Sequence, residues 1–182
     1  MTRLKKLLNY FDTPGDVLLF FQIFLFLTVL PLLLKLLTLK KLMEVLSSES
    51  NKNNNRTTTE ADKILQLTNL ILNRNIFVYR NICLKRSLTL YYFLSRMGQK
   101  VNIYYGVKKD TEINNEDEVL EGHSWIELNG EIFNDGDKDA PDIYHITYSY
   151  PNWGWHKSEK NEIATFDLRQ IRNDKVTSYY GW

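Results

Sequence analysis

At 182 residues, the chain has room for one ordinary domain plus an appendage, and hardly for two full domains. Its 23 basic and 22 acidic residues leave a net charge of +1, so no dense basic face supports a nucleic-acid partner. Apolar content of 43% and charged content of 25% are normal for a globular protein, and a single cysteine, Cys83, excludes an internal disulfide.

Lys5 and Lys6 precede an uncharged run from Val17 to Leu34, mostly Leu and Phe, which Lys35, Lys40 and Lys41 close. Only Gln22, Thr28 and Pro31 interrupt it. About eighteen apolar residues is the lower edge of what crosses a bilayer as a helix. No small-x-small cleavage pattern follows, so a signal peptide fits less well. The run therefore reads as a transmembrane anchor, an interfacial helix, or a hydrophobic helical arm docked on another surface. Basic residues flank both ends, so the charge bias gives no orientation.

Ser47 to Thr59 (SSESNKNNNRTTT) has no apolar periodicity and reads as a flexible linker. The chain thus divides into an arm (1–46), a linker (47–59) and a folded domain (60–182). Thr59 and Asp62 have the spacing of a capping box, and Ala61, Ile64, Leu65, Thr68, Ile71 and Leu72 recur with helical period. A second helix is expected from about Cys83 to Met97, ended by Gly98, with Leu84, Leu88, Tyr91, Tyr92 and Ser95 facing inward.

Beyond Gly98 the period falls to two. Val101 to Val107 reads as a strand, Asp110 to Glu121 as an acidic surface loop, and His123 to Leu128 as a second strand. Asn129-Gly130 is a two-residue hairpin signal, and Glu131 to Asn134 returns. Tyr144 to Tyr150 and Ile163 to Phe166 suggest further strands. The aromatics, including 11 Tyr and 4 Trp, concentrate in this half, where flat rings suit a pleated surface. Helices followed by an antiparallel run of strands define an α+β fold.

A lone cysteine is a packing residue, a bystander or a nucleophile, and free cysteines are commonly buried for packing. Cys83, however, falls at a helix start, where unpaired N–H groups and the helix dipole favour a thiolate. His123 on a strand is held rigidly, as a general base requires. A carboxylate at Asp135 could hold the imidazole in the needed tautomer. Pairing across Asn129-Gly130 sets Leu128 opposite Glu131, Trp125 opposite Asn134 and Ser124 opposite Asp135. His123 then shares a face with Trp125 and Asn134. Either a bulge or the end of pairing turns Asp135 toward His123, or Asn134 is the orienting residue.

Cys83-Leu84-Lys85-Arg86-Ser87-Leu88, the Gly-terminated helix, Ile103 to Val107, His123 to Gly130 and Asn134-Asp135 together resemble the lasso-peptide maturation protease. This is the protease half of the B-protein family, related to the microcin-processing protein. The hydrophobic arm and its Thr13-Pro14-Gly15-Asp16 start are similar as well, and the resemblance spans about residues 3 to 137. It implies a transglutaminase-like (papain-like) cysteine-protease core, with Cys83 as nucleophile, His123 as base and Asp135 as third member. The implied reaction removes the leader from a ribosomally made precursor peptide. The implied partners are that precursor, a separate leader-recognition protein and a lasso cyclase, in the cytoplasm, with membrane association if residues 17–34 engage a bilayer. Ser124 stands where the family usually has Ala, and residues 140–182 have no counterpart in the resemblance.

Other residues carry a functional and a structural reading side by side. Arg86, three residues after Cys83, could hold a substrate carbonyl or be a solvated helix residue. Trp125 could wall the site or be core. His145 and His156 read as structural or exposed. One cysteine and three scattered histidines do not make a closed zinc site, and acyl transfer through a thiol needs no cofactor. Two other functions remain open: a transglutaminase-like amidase or acyltransferase on another substrate, and a non-catalytic membrane adaptor that keeps the fold.

Overall fold

The computed structural model describes residues 10–47, 58–73, 82–109, 120–133, 136 and 138–151. Helix α1 (Pro14–Leu36) opens on a capping box: the Thr13 hydroxyl accepts from Asp16 N, and the Asp16 carboxylate accepts from Thr13 N. These contacts satisfy donors that a helix start leaves unpaired. Lys63 then ties this end to helix α3 (Thr58–Leu72), its Nζ lying 2.6 Å from Asp12 and 3.3 Å from Asp16. The Thr59–Asp62 pair does not form the expected cap, because Thr59 already lies inside the first turn of α3.

Helix α2 (Leu39–Ser47) follows α1 and buries Leu42, Met43 and Leu46. Ile23, Leu27 and Leu30 of α1 join the same core cluster as Ala61, Ile64, Leu67 and Ile71 of α3. The apolar arm is therefore packed on the domain along one side. On the opposite side Leu18, Phe21, Leu25, Leu32 and Leu36 are exposed.

Helix α4 (Ile82–Arg96) is the central element. Gly98, at φ 76°, ends it, with Gln99 N donating to Leu94 O and Gly98 N to Ser95 O, the paired bonds of a Schellman cap. Leu88, Tyr91 and Ser95 are buried as expected, whereas Leu84 and Tyr92 are half-buried. Ser87, Thr89, Leu90 and Leu94 are buried too. The reason is that α4 lies between the sheet and the other helices, so its apolar stripe reports only part of its buried surface.

The sheet has four antiparallel strands in the order β3-β2-β1-β4: β1 (Val101–Lys109), β2 (Leu120–Leu128), β3 (Glu131–Ile132) and β4 (His145–Tyr150). Asn129 and Gly130 both have positive φ, 54° and 96°, as a two-residue hairpin loop of type I′ demands. Leu128 pairs with Glu131 and Glu127 with Ile132, which is the expected register. β3 is shorter than the expected return, although Phe133 N still donates to Ile126 O. A one-turn helix, α5 (Ala140–Ile143), precedes β4 and has no counterpart in the apolar pattern. Of the expected linker at 47–59, Ser47 instead ends α2 and Thr58 and Thr59 open α3; of the expected loop at 110–121, Leu120 and Glu121 instead begin β2. Residues 48–57 and 110–119, Asn134, Asp135 and the 163–166 segment lie outside the described residues.

Candidate active site

Strand alternation sorts the sheet into two faces. Val101, Ile103, Ser124, Ile126 and Leu128 lie on the inner face with α4, and all five are buried. Tyr104, Gly106, Glu121, His123 and Trp125 belong to the outer face. Cys83 comes from the start of α4 and His123 from the outer face of β2, so the two would not meet through the plane of the sheet. They meet around its edge.

Main-chain direction explains how. Leu128 flanks the hairpin loop, so its N–H and C=O point toward β3, and every second residue back along β2 points the same way. Ser124 is one of these. Its carbonyl accepts the Ser87 hydroxyl at 2.9 Å, and its N–H faces the Cys83 sulfur. The first turn of α4 therefore runs along the side of β2 that faces away from β1. Ser124 Oγ also donates to Ser87 Oγ at 3.2 Å.

Cys83 is half-buried, and its thiol hydrogen-bonds the His123 imidazole. Burial pushes the thiol's pKa up, but the hydrogen bond and charge of His123, with the N–H groups of Leu84 and Ser124, outweigh it. The net result is a thiol below its ordinary range. Both aids come from position: Leu84 N–H is among the unpaired donors of the first helical turn, and Ser124 N–H points off the side of β2 that faces away from β1. Tyr105, on β1, is held strongly neutral, first by burial and then by Tyr148, Cys83 and Tyr91.

His123 is bracketed by rings. Trp125 stacks beside it at 6.1 Å between centroids, and Tyr144 lies against it at 5.0 Å. Trp125, 2% exposed, is backed by Tyr104 at 5.8 Å, so it belongs both to the wall beside His123 and to a packed layer. Arg86 is half-buried, and its Nε is buried with no hydrogen-bond partner among the described residues. Asp135 and Asn134, the two expected orienting residues, lie outside the described residues. His145 is exposed, at the start of β4.

The site thus joins a thiol of lowered pKa at a helix start to an imidazole on the neighbouring strand. A family model described as the transglutaminase-like superfamily matches residues 25–148. The chain belongs to the transglutaminase-like superfamily. The match begins within α1 and ends within β4, so it covers every element from the apolar helix to the sheet. No curated protein and no solved structure matches the chain. The superfamily's general kind, a cysteine-protease or acyltransferase fold, agrees with an α+β domain whose one cysteine meets a histidine.

Sequence reasoning passed over Ser87, Ser124 and Tyr144 as parts of this site. Ser87 and Ser124 sit next to the residues that drew attention, and the i+4 spacing from Cys83 to Ser87 was a usable signal. Tyr144 had none, because a bulge and an intervening segment set its place.

Proposed function

We propose that this protein is a cysteine peptidase that removes the leader from a ribosomally synthesised precursor during lasso-peptide-type maturation. The observation that carries the reading is the hydrogen bond between the lowered-pKa thiol of Cys83 and His123. The substrate class rests on the Cys83, His123 and Gly106-Val107 blocks that resemble the maturation protease. Asp135 is the proposed third member of the triad, with Asn134 as the alternative.

The Cys83 thiolate attacks the scissile carbonyl carbon, and the C–S bond forms. As the tetrahedral adduct collapses, the C–N bond breaks and the His123 imidazolium passes its proton to the leaving amine. His123 then takes a proton from water, the hydroxide attacks the thioester, and the C–S bond breaks to release the carboxylic acid. Cys83 is the second residue of α4, so its own N–H is unpaired within the helix and suits the oxyanion. Arg86 and Trp125 are proposed to contact the peptide.

The expected partners are the precursor, a leader-recognition protein and a cyclase. A membrane surface is the fourth. Helix α1 is long and apolar enough to cross a bilayer by length and composition, yet Ile23, Leu27 and Leu30 are fully buried in the domain core. The opposite face, with Lys35, Lys40 and Lys41 exposed beyond it, suits an in-plane seat on anionic lipid.

The test is Cys83→Ala in a strain that makes the product. Loss of the mature peptide with accumulation of uncleaved precursor is expected. Unchanged product would mean a non-catalytic adaptor.

A further inference from the structure

β1 and β4 do not pair evenly. Tyr105 pairs with Tyr148, but Gly106 pairs with Ile146, so Thr147 is an extra residue on β4. Its hydroxyl donates to Tyr105 O at 3.1 Å. A one-residue slip exchanges the faces of everything beyond it. Tyr148 and Tyr150 therefore point inward with Tyr105, while Ile146 and Tyr144 are turned to the outer face, where His123 lies. Without the bulge Tyr144 would be carried to the wrong side of the sheet.

Once there, Tyr144 crosses directly over Gly106. A Cβ at position 106 would stand 2.7 Å from Tyr144 Cβ and 3.1 Å from the Trp125 ring, so only glycine leaves room for the crossing. Gly106 is itself the cross-strand partner of His123. The far end of the ring is tethered as well: Tyr144 Oη donates to Glu121 Oε1 at 2.7 Å, and Lys108 Nζ pairs with Glu121 Oε2 at 2.8 Å. The Lys108 ammonium also lies 5.3 Å from the Tyr144 ring centroid.

We propose that Tyr144 is a positioning residue for His123, laid against the imidazole by the Thr147 bulge, the bare Gly106 and the Glu121 tether so that the ring stays aimed at Cys83. This rests on the reading of Cys83 and His123 as the reacting pair. The imidazole is confined between flat neighbours, and a confined base loses less orientation when it acts. The titratable groups that face the pair include Tyr105 from β1, Glu121 from β2 and Tyr144 ahead of β4, with Lys108 balancing Glu121.

The chain has a single cysteine and three histidines, which makes two direct readouts possible. The first is the pH profile of Cys83 alkylation by iodoacetamide in wild type, Tyr144→Leu and Tyr144→Phe. Tyr144→Leu should move the midpoint upward by about one unit, an approximately tenfold slower reaction on the rising limb, with the helical circular dichroism retained. Tyr144→Phe, which keeps the ring and loses only the Glu121 tether, should move the midpoint less than Tyr144→Leu does. The second readout is the proton shift of the His123 imidazole, displaced upfield by the Tyr144 ring in wild type and Tyr144→Phe, and released in Tyr144→Leu. A Tyr144→Leu protein with the wild-type profile and the wild-type imidazole shift overturns the proposal. A wild-type thiol that alkylates no faster than a free one instead overturns the reacting pair, and the imidazole shift still reports on Tyr144 separately.

Discussion

Ser87 on α4 donates its hydroxyl to the main-chain carbonyl of Ser124 on β2 at 2.9 Å, and this bond joins the helix that bears the thiol to the strand that bears the imidazole. Both serines are buried. Ser87→Ala leaves the Ser124 carbonyl without its donor, which costs about 1–3 kcal/mol for a buried group. Ser124→Ala removes only the second hydroxyl and keeps that bond, so its cost should be smaller, about 1 kcal/mol or less. Urea denaturation of the two variants checks the order.

His123→Ala should raise the Cys83 thiol. The imidazole supplies the largest lowering influence on it, against burial, which acts the other way. With the ring gone, burial dominates and the thiolate forms at higher pH. Alkylation at neutral pH should then slow by about tenfold for each unit of the shift, and the profile should move toward alkaline pH. A stopped series of iodoacetamide reactions between pH 5 and 10, read by mass, gives the midpoint.

Two glycines of the sheet should respond oppositely to alanine. At Gly106 the new methyl meets Tyr144 and Trp125 at 2.7 and 3.1 Å, an overpacking that costs about 1–3 kcal/mol. At Gly122 nothing lies within 4 Å of the added carbon, and alanine there should be neutral or stabilise by up to about 1 kcal/mol, since glycine weakens a strand. Thermal melts of Gly106→Ala and Gly122→Ala test the contrast.

Much of the site's frame was legible because its signals are local. The Asn129-Gly130 turn set the hairpin register, Gly98 set the end of α4, and period-two alternation put His123 and Trp125 on one face. What could not be read depends on distant partners. Nothing around Ser87 or Ser124 announces that the two meet, since their bond depends on how α4 lies along β2. Tyr144 reaches His123 only through a bulge at Thr147 and a space above Gly106, neither of which has a periodic signature. The burial of α4 on several sides also escaped the pattern, because buried Ser87 and Thr89 read as polar positions.

The two sides of α1 should separate stability from membrane binding. Leu25 is 66% exposed and Leu27 fully buried, although only Phe26 separates the two in sequence. Leu25→Asp should fold normally and lose co-sedimentation with vesicles of mixed neutral and anionic lipid. Leu27→Asp should unfold the domain, because an unpaired carboxylate would enter the core. Equal co-sedimentation of Leu25→Asp and wild type would remove the lipid surface from the list of partners.

The peptidase reading itself is tested most directly by incubating the purified protein with a lasso-type precursor peptide and a leader-recognition protein, the two partners proposed for it, followed by mass spectrometry. The account predicts that the precursor mass gives way to leader and core fragments, and that Cys83→Ala and His123→Ala each leave the precursor intact. Cleavage that persists in Cys83→Ala, or a precursor untouched by the wild-type protein with its partner present, would contradict it.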